Sequence, residues 1–154
     1  MYNKVGLLKL AELFKQNEIA VADYYHVCEE KFPKYKEIWS EIEKCERKHA
    51  KIFENIKKEI DENPKNWKKG SFSPIVIQIM IDQTREQTEK LKNDQLVKNY
   101  ALHFIKDVET SLIESNVSKA FITEVEEYNK LLTKIQDDSK QHHEYLMKII
   151  DAEI

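Results

Sequence analysis

The chain has 154 residues, a formal net charge of −3, and only 2 glycines and 3 prolines against 34% charged residues. That length allows one domain with a buried core and no staples, and few turn residues among many Glu, Lys, Leu and Ile favour long helices over a sheet. Interleaved acids and bases exclude a nucleic-acid groove or a polybasic membrane face, and the longest apolar run, Pro74 to Ile81, is too short to span a bilayer.

Cys28 and Cys45 make no CxxC pair and no disulfide framework, which fits a reducing compartment and excludes a cysteine-ligated zinc or iron module. The first residues, MYNKVGLLKLAELF, are amphipathic and lack the apolar core and cleavage site of a signal peptide. An all-α, cytoplasmic, single-domain protein over residues 1–154 is the expectation.

Taken in order, residues 3–31 read as a first helix whose seam, Leu7, Ala11, Phe14, Glu18, Val21, Tyr25, Cys28, Phe32, steps by 4 and 3. One acid interrupts an apolar stripe. Pro33 disfavours helix at Phe32 and suits the first turn of the next, so helices one and two form a hairpin over residues 1–62. The second helix, 34–62, carries the stripe Trp39, Ile42, Glu46, His49, Phe53, Ile56, Ile60. Its polar pair is a Glu-x-x-His, two ligand-type side chains leaving one helix on the same face.

Residues 63–94 read as a crossover. Gly, Pro, Ser and Asn cluster from Asn63 to Pro74, and a connecting helix then runs from Pro74, capped by Ser71 or Ser73, to about Lys92. Ile75, Ile79 and the stretch from Asp82 to Glu89 are expected to be exposed, with the helix packed outside the main bundle. The Ile75–Ile81 stripe suits packing on the bundle or on a second subunit in a homodimer, ahead of a membrane-lying face. After a break at Asn93-Asp94, the second hairpin (95–154) has a helix over 95–118 with seam Leu102, Ile105, Glu109, Leu112, Asn116. The last helix, 123–150, has seam Tyr128, Leu132, Ile135, Ser139, His142, Leu146, Ile149.

The halves read as a repeat: Glu18 lies 31 residues before His49, and Glu109 lies 33 before His142. Polar interruptions at one height would gather Glu18, Glu46, His49, Glu109, Ser139 and His142 in the core. Buried carboxylates cost several kcal/mol each unless paired or bound to a cation. A divalent or trivalent metal compensates, and mixed carboxylate and imidazole ligands suit iron or manganese.

On these residues the chain resembles the ferritin-like superfamily, and within it the rubrerythrin-like di-iron carboxylate proteins. The resemblance is carried by Glu18 with Tyr25 one seam step of seven later, by Cys45-Glu46-Arg47-Lys48-His49-Ala50, by Asp107-Val108-Glu109, and by His142-His143. It implies a four-helix bundle with a long crossover containing the extra helix between helices two and three. It also implies one or two irons (manganese or zinc being alternatives) on Glu18, Glu46, His49, Glu109 and His142, and oxidation of ferrous iron coupled to peroxide or oxygen reduction.

The chain departs from that pattern at Ser139, where the family has the Glu three before His142. Asp138, at i, i+4 from His142, or a solvent anion could take its place; otherwise a single metal sits on Glu18, Glu46, His49 and Glu109. The electron-donor rubredoxin module of true rubrerythrins is absent for want of cysteines. His143 competes with His142 as the inward residue. Tyr25 reads as a core tyrosine ahead of a donor to a ligand, His26 and His103 as solvated, and both cysteines as small buried apolar groups. The alternative function is a ferritin-like bundle without redox activity, a structural or partner-binding module whose acids and imidazoles form a polar core network.

Overall fold

The computed structural model describes residues 4–153. Its first helix, α1 (Lys4–Lys31), ends where Pro33 enforces a single tight turn, Pro33–Tyr35, and α2 (Lys36–Glu62) returns alongside it. The Trp39 indole N–H donates to the Phe32 carbonyl at 3.1 Å and fixes that turn to α2. The expected start of α1 at residue 3 lies outside the described residues, as do residues 1, 2 and 154.

Helix α2 stops at Asn63, one residue before Pro64, which cannot continue it. Its buried face is the predicted stripe, Trp39, Ile42, Glu46, His49, Phe53, Ile56 and Ile60, with Ala50 added. Burying an apolar side chain of this size contributes roughly 1.5–3 kcal/mol, so this one face supplies a large part of the folding free energy.

The crossover holds a strand as well as a helix. Strand β1 (Trp67–Lys69) pairs antiparallel with β2 (Phe121–Thr123), in the register Trp67 to Thr123, Lys68 to Ile122, Lys69 to Phe121. Neither was expected, because three residues are too short to show an alternating pattern. Their role is packing: Trp67 is fully buried, edge-on to Phe121 and Tyr128.

Helix α3 (Pro74–Lys92) begins after Ser73 with its proline in the first turn, as expected, although Ser73 makes no side-chain cap. The expected exposure of Asp82 to Glu89 fails at Thr84, which is fully buried. The helix packs along α1 and buries Ile77, Ile81, Thr84 and Leu91, while Ile75, Val76 and Ile79 face out.

Helix α4 (Lys98–Ser115) is shorter than the expected 95–118. No Ser, Thr, Asp or Asn caps it at Val97, and it closes on Asn116 in the left-handed region (φ 51°). Asn116 is therefore a helix stop, half-buried, and not a seam residue. Strand β2 then displaces the start of the last helix from 123 to 126, and α5 (Glu126–Glu153) runs to the end of the described residues. It packs along α4 and meets α2. No helix among the described residues is long and apolar enough to cross a membrane.

Two apolar clusters result. One gathers Leu7 to Phe14 of α1, Phe53 to Ile60 of α2, Leu132 and Ile135 of α5, Ile77 and Ile81 of α3, and the sheet. The other gathers Val21 to Cys28, Trp39, Ile42, the buried face of α4, and Leu146 to Ile150. Between them in sequence, on α1, α2 and α5 alike, fall the polar residues of the next subsection.

Gly70 follows β1 so closely against the other strand's approach that an added Cβ would collide with the Lys119 carbonyl, while its N–H donates to the Ala120 carbonyl at 2.8 Å. We expect Gly70→Ala to cost about 1–3 kcal/mol, the range for overpacking a closed contact. Chemical denaturation would measure it, and unchanged stability would show that the sheet yields freely.

Candidate metal centre

Glu18 on α1, Glu46 and His49 on α2, Glu109 on α4 and His142 on α5 all point inward, each between 0% and 4% exposed. The helical steps of 3 and 4 that carry the apolar stripes put them there, because each occupies a stripe position. His142 is the inward residue of its pair, and His143 is half-buried.

The five side chains form two triads that share one carboxylate. In the first, His49 Nδ1 lies 3.5 Å from Glu18 Oε2 and 3.6 Å from Glu46 Oε2. In the second, His142 Nδ1 lies 2.8 Å from Glu46 Oε1 and 3.7 Å from Glu109 Oε1. Within each triad one ligand atom per residue lies within 4.8 Å of the others. The two imidazole rings are nearly parallel, with centroids 6.5 Å apart.

Apart from the ion pair of His142 with Glu46, these approaches are too long for hydrogen bonds. Glu18 Oε2, both oxygens of Glu46, Glu109 Oε2 and the Nδ1 atoms of His49 and His142 are fully buried with no hydrogen-bond partner. Such orphans are rare in native proteins, and each demands compensation. Six converging on one place, all carboxylate oxygens or imidazole nitrogens, fit divalent cations. Two residues stand on each side of Glu46, which completes either triad with one of its oxygens.

Around this centre stand residues that orient it. Asp138 Oδ2 accepts from His49 Nε2–H at 2.8 Å, which fixes one ring proton on the outer nitrogen and turns Nδ1 toward the centre. Tyr25 is fully buried and its hydroxyl donates to Glu109 Oε1 at 2.9 Å. It is thus a donor to a candidate ligand as well as a core residue. Asp138 is therefore joined to the site through His49, and not in the place of the missing carboxylate. Ser139 is buried at 4% and brings only a neutral hydroxyl.

Burial and then the Glu46 charge push the Glu18 carboxyl well above its usual range, and the same two causes raise Glu109. Burial also presses Glu46 upward, but close contact with Glu18, His142 and His49 outweighs it and holds Glu46 well below the usual value. Burial disfavours charge on both imidazoles. Glu18 and Asp138 at His49, and Cys45, Glu109 and Glu46 at His142, outweigh it and raise both. Asp138 is pressed up by burial but held down to about 2 by His49 and Lys134.

The sequence missed Cys45, which is half-buried instead of packed away. Its Sγ lies 3.5 Å from both His49 Nε2 and Asp138 Oδ2. The signal was present as the i, i+4 spacing of Cys45 and His49. As expected His26 is exposed, where it pairs with Glu29 and Glu43 at 3.0 Å. His103 is half-buried, not fully solvated. Comparison with protein-family models, curated proteins and solved structures finds no match to this chain.

The charges make a pH prediction for metal-free protein. His49 and His142 are raised above 6.5, so their protonation stabilises the fold below that pH and the contribution is lost as pH rises. Glu18 and Glu109, raised above 4.5, act in the same direction. Asp138 acts oppositely, its contribution being lost only as pH falls from 3.8 toward 2. Chelator-treated protein should therefore melt at lower temperature at about pH 8 than at about pH 6. A melting temperature that rises over that interval in calorimetry would contradict the assignment.

Proposed function

We propose that the chain is a dinuclear non-haem metal protein of the ferritin-like, rubrerythrin-like kind, which oxidises ferrous iron or reduces peroxide or oxygen at the centre of a helical bundle. The observation that carries this reading is that the five residues forming two triads about Glu46 hold six buried atoms without a hydrogen-bond partner. Pairing of α1 with α2 and of α4 with α5, the second pair following a crossover with its own helix, supports the bundle.

Glu18 and His49 would hold one metal, Glu109 and His142 the other, with one oxygen of Glu46 for each. Two iron ions bound there supply one-electron steps and Lewis acidity toward oxygen or peroxide. The chain's own residues set the stage for that. Asp138 keeps the His49 proton on Nε2, and Tyr25 engages Glu109 Oε1, which leaves the partnerless Oε2 free. Both apolar clusters exclude bulk water from above and below the centre.

Three carboxylates leave two divalent cations one positive charge over. An anion from solvent would balance it, since Ser139 supplies none. A groove of about 880 Å³ lined by α2 and α5 reaches His49, Cys45 and Asp138 and gives small reactants an approach.

Ser139 also favours a second reading, a bundle of the same kind whose polar core is structural and serves partner binding. That reading draws on the core contacts of Tyr25 with Glu109, His49 with Asp138 and His142 with Glu46, and leaves the six orphan atoms to be satisfied in another way.

Elemental analysis after anaerobic ferrous loading and desalting decides between them. We expect about two irons per chain, about one in Glu109→Ala, and a larger loss in Glu46→Ala, which removes the shared ligand. Loaded protein should also be stabilised by about 2.7 kcal/mol when free metal is a hundredfold above its dissociation constant. Coincident melting of loaded and metal-free protein would leave the structural reading standing.

A further inference from the structure

His49 faces two ways. Its Nδ1 belongs to the buried centre, but its Nε2 turns toward the groove between α2 and α5, where Cys45 Sγ and Asp138 Oδ2 meet it. We propose that Cys45, His49 and Asp138 form a second, outer metal site, open to the groove and suited to a borderline divalent cation such as zinc.

The geometry of the three atoms carries this. Tetrahedral zinc with thiolate, imidazole and carboxylate ligands spaces its ligand atoms roughly 3.5 Å apart from sulfur to nitrogen or oxygen, and roughly 3.3 Å apart from nitrogen to oxygen. Here sulfur stands 3.5 Å from nitrogen and 3.5 Å from oxygen. Nitrogen and oxygen stand 2.8 Å apart, the length of the hydrogen bond they share, and need open only by a few tenths of an ångström once that proton moves. The three atoms thus form one face of a tetrahedron.

The side chains are held independently of any ion. Cys45 and His49 are one helical turn apart on α2, which fixes their spacing. Lys134 donates to both oxygens of Asp138, Oδ1 at 3.0 Å and Oδ2 at 3.3 Å, and so holds the carboxylate beside the imidazole. The fourth tetrahedral position faces the groove, which leaves it for water or a small ligand, as in zinc sites that are not closed.

Binding there has a stated proton balance. The Cys45 thiol proton and the Nε2 proton of the charged His49 ring go to solvent, and the ring keeps its second proton. At Nδ1 it meets Glu18 Oε2 at 3.5 Å and Glu46 Oε2 at 3.6 Å, two acceptors without partners. A neutral imidazole has one lone pair, so His49 serves the outer site or the buried centre, not both. The outer site is thereby a competitor of the inner one through a single ring.

Cobalt(II) is the probe, added in equivalents to metal-free full-length protein. We expect a near-ultraviolet sulfur-to-cobalt charge-transfer band, displaced by zinc, and binding at least tenfold weaker without that band in Cys45→Ser. The band should persist in Glu109→Gln, which alters only the buried centre, so the outer site stands or falls apart from the function proposed above. A band absent from the unmodified protein, retained in Cys45→Ser, or lost in Glu109→Gln would overturn the outer site. Should Cys45→Ser fold poorly, alkylation by iodoacetamide mapped by mass spectrometry gives the same answer on the unmodified chain. Zinc should slow labelling of Cys45 severalfold, with buried Cys28 as the internal reference, and labelling unaffected by zinc would refute the proposal.

Discussion

Three carboxylates buried together are the constraint from which the rest of this molecule follows. Glu18, Glu46 and Glu109 are each almost wholly removed from water, and Glu46 lies close to both imidazoles. In an apolar interior such a group is either neutralised, paired or bound to a cation. The metal-free protein relieves the strain by protonation, raising Glu18 and Glu109 while Glu46 stays ionised between raised imidazoles. Cations that displaced those protons would satisfy the same atoms without the repulsion between carboxylates.

Everything around the centre serves to hold these residues at one level. The apolar clusters on either side lock α1, α2 and α5 lengthwise, so a helix cannot slide by a turn without driving an acid into one cluster. Helix α4 is tied across to α1 by Tyr24, whose hydroxyl donates to the Ala101 carbonyl at 2.7 Å, and by Tyr25 on Glu109. At the far end Glu153 reaches Tyr35 and Lys98 at 2.5 Å each, joining the end of α5 to the first hairpin's turn and to the start of α4.

How far the sequence revealed this depended on periodicity. The helical class, the first hairpin and the inward residues were legible because an acid or imidazole at a stripe position is conspicuous among Leu, Ile and Phe. The strands were not, since Trp67–Lys69 and Phe121–Thr123 are too short for any period and pair across a long stretch of intervening chain. The limits of α4 were misread because Gln95 to Val97 hold no cap and Asn116 continued the step pattern while its backbone turned left-handed. Cys45 escaped notice because it lies one position off the stripe, where a residue looks outward from the core yet still touches the far side of a ligand.

The two triads differ in how much chain they need. Glu18, Glu46 and His49 all lie in the α1–α2 hairpin, whereas Glu109 and His142 lie beyond the crossover, His142 being 93 residues after His49. A protein made from its N-terminus therefore has one complete triad while the other does not yet exist, and local hairpins form before contacts across long loops. Glu46 is then set by the first triad before α5 arrives to use its second oxygen, so the later half of the centre is built on a ligand that the earlier half has already positioned.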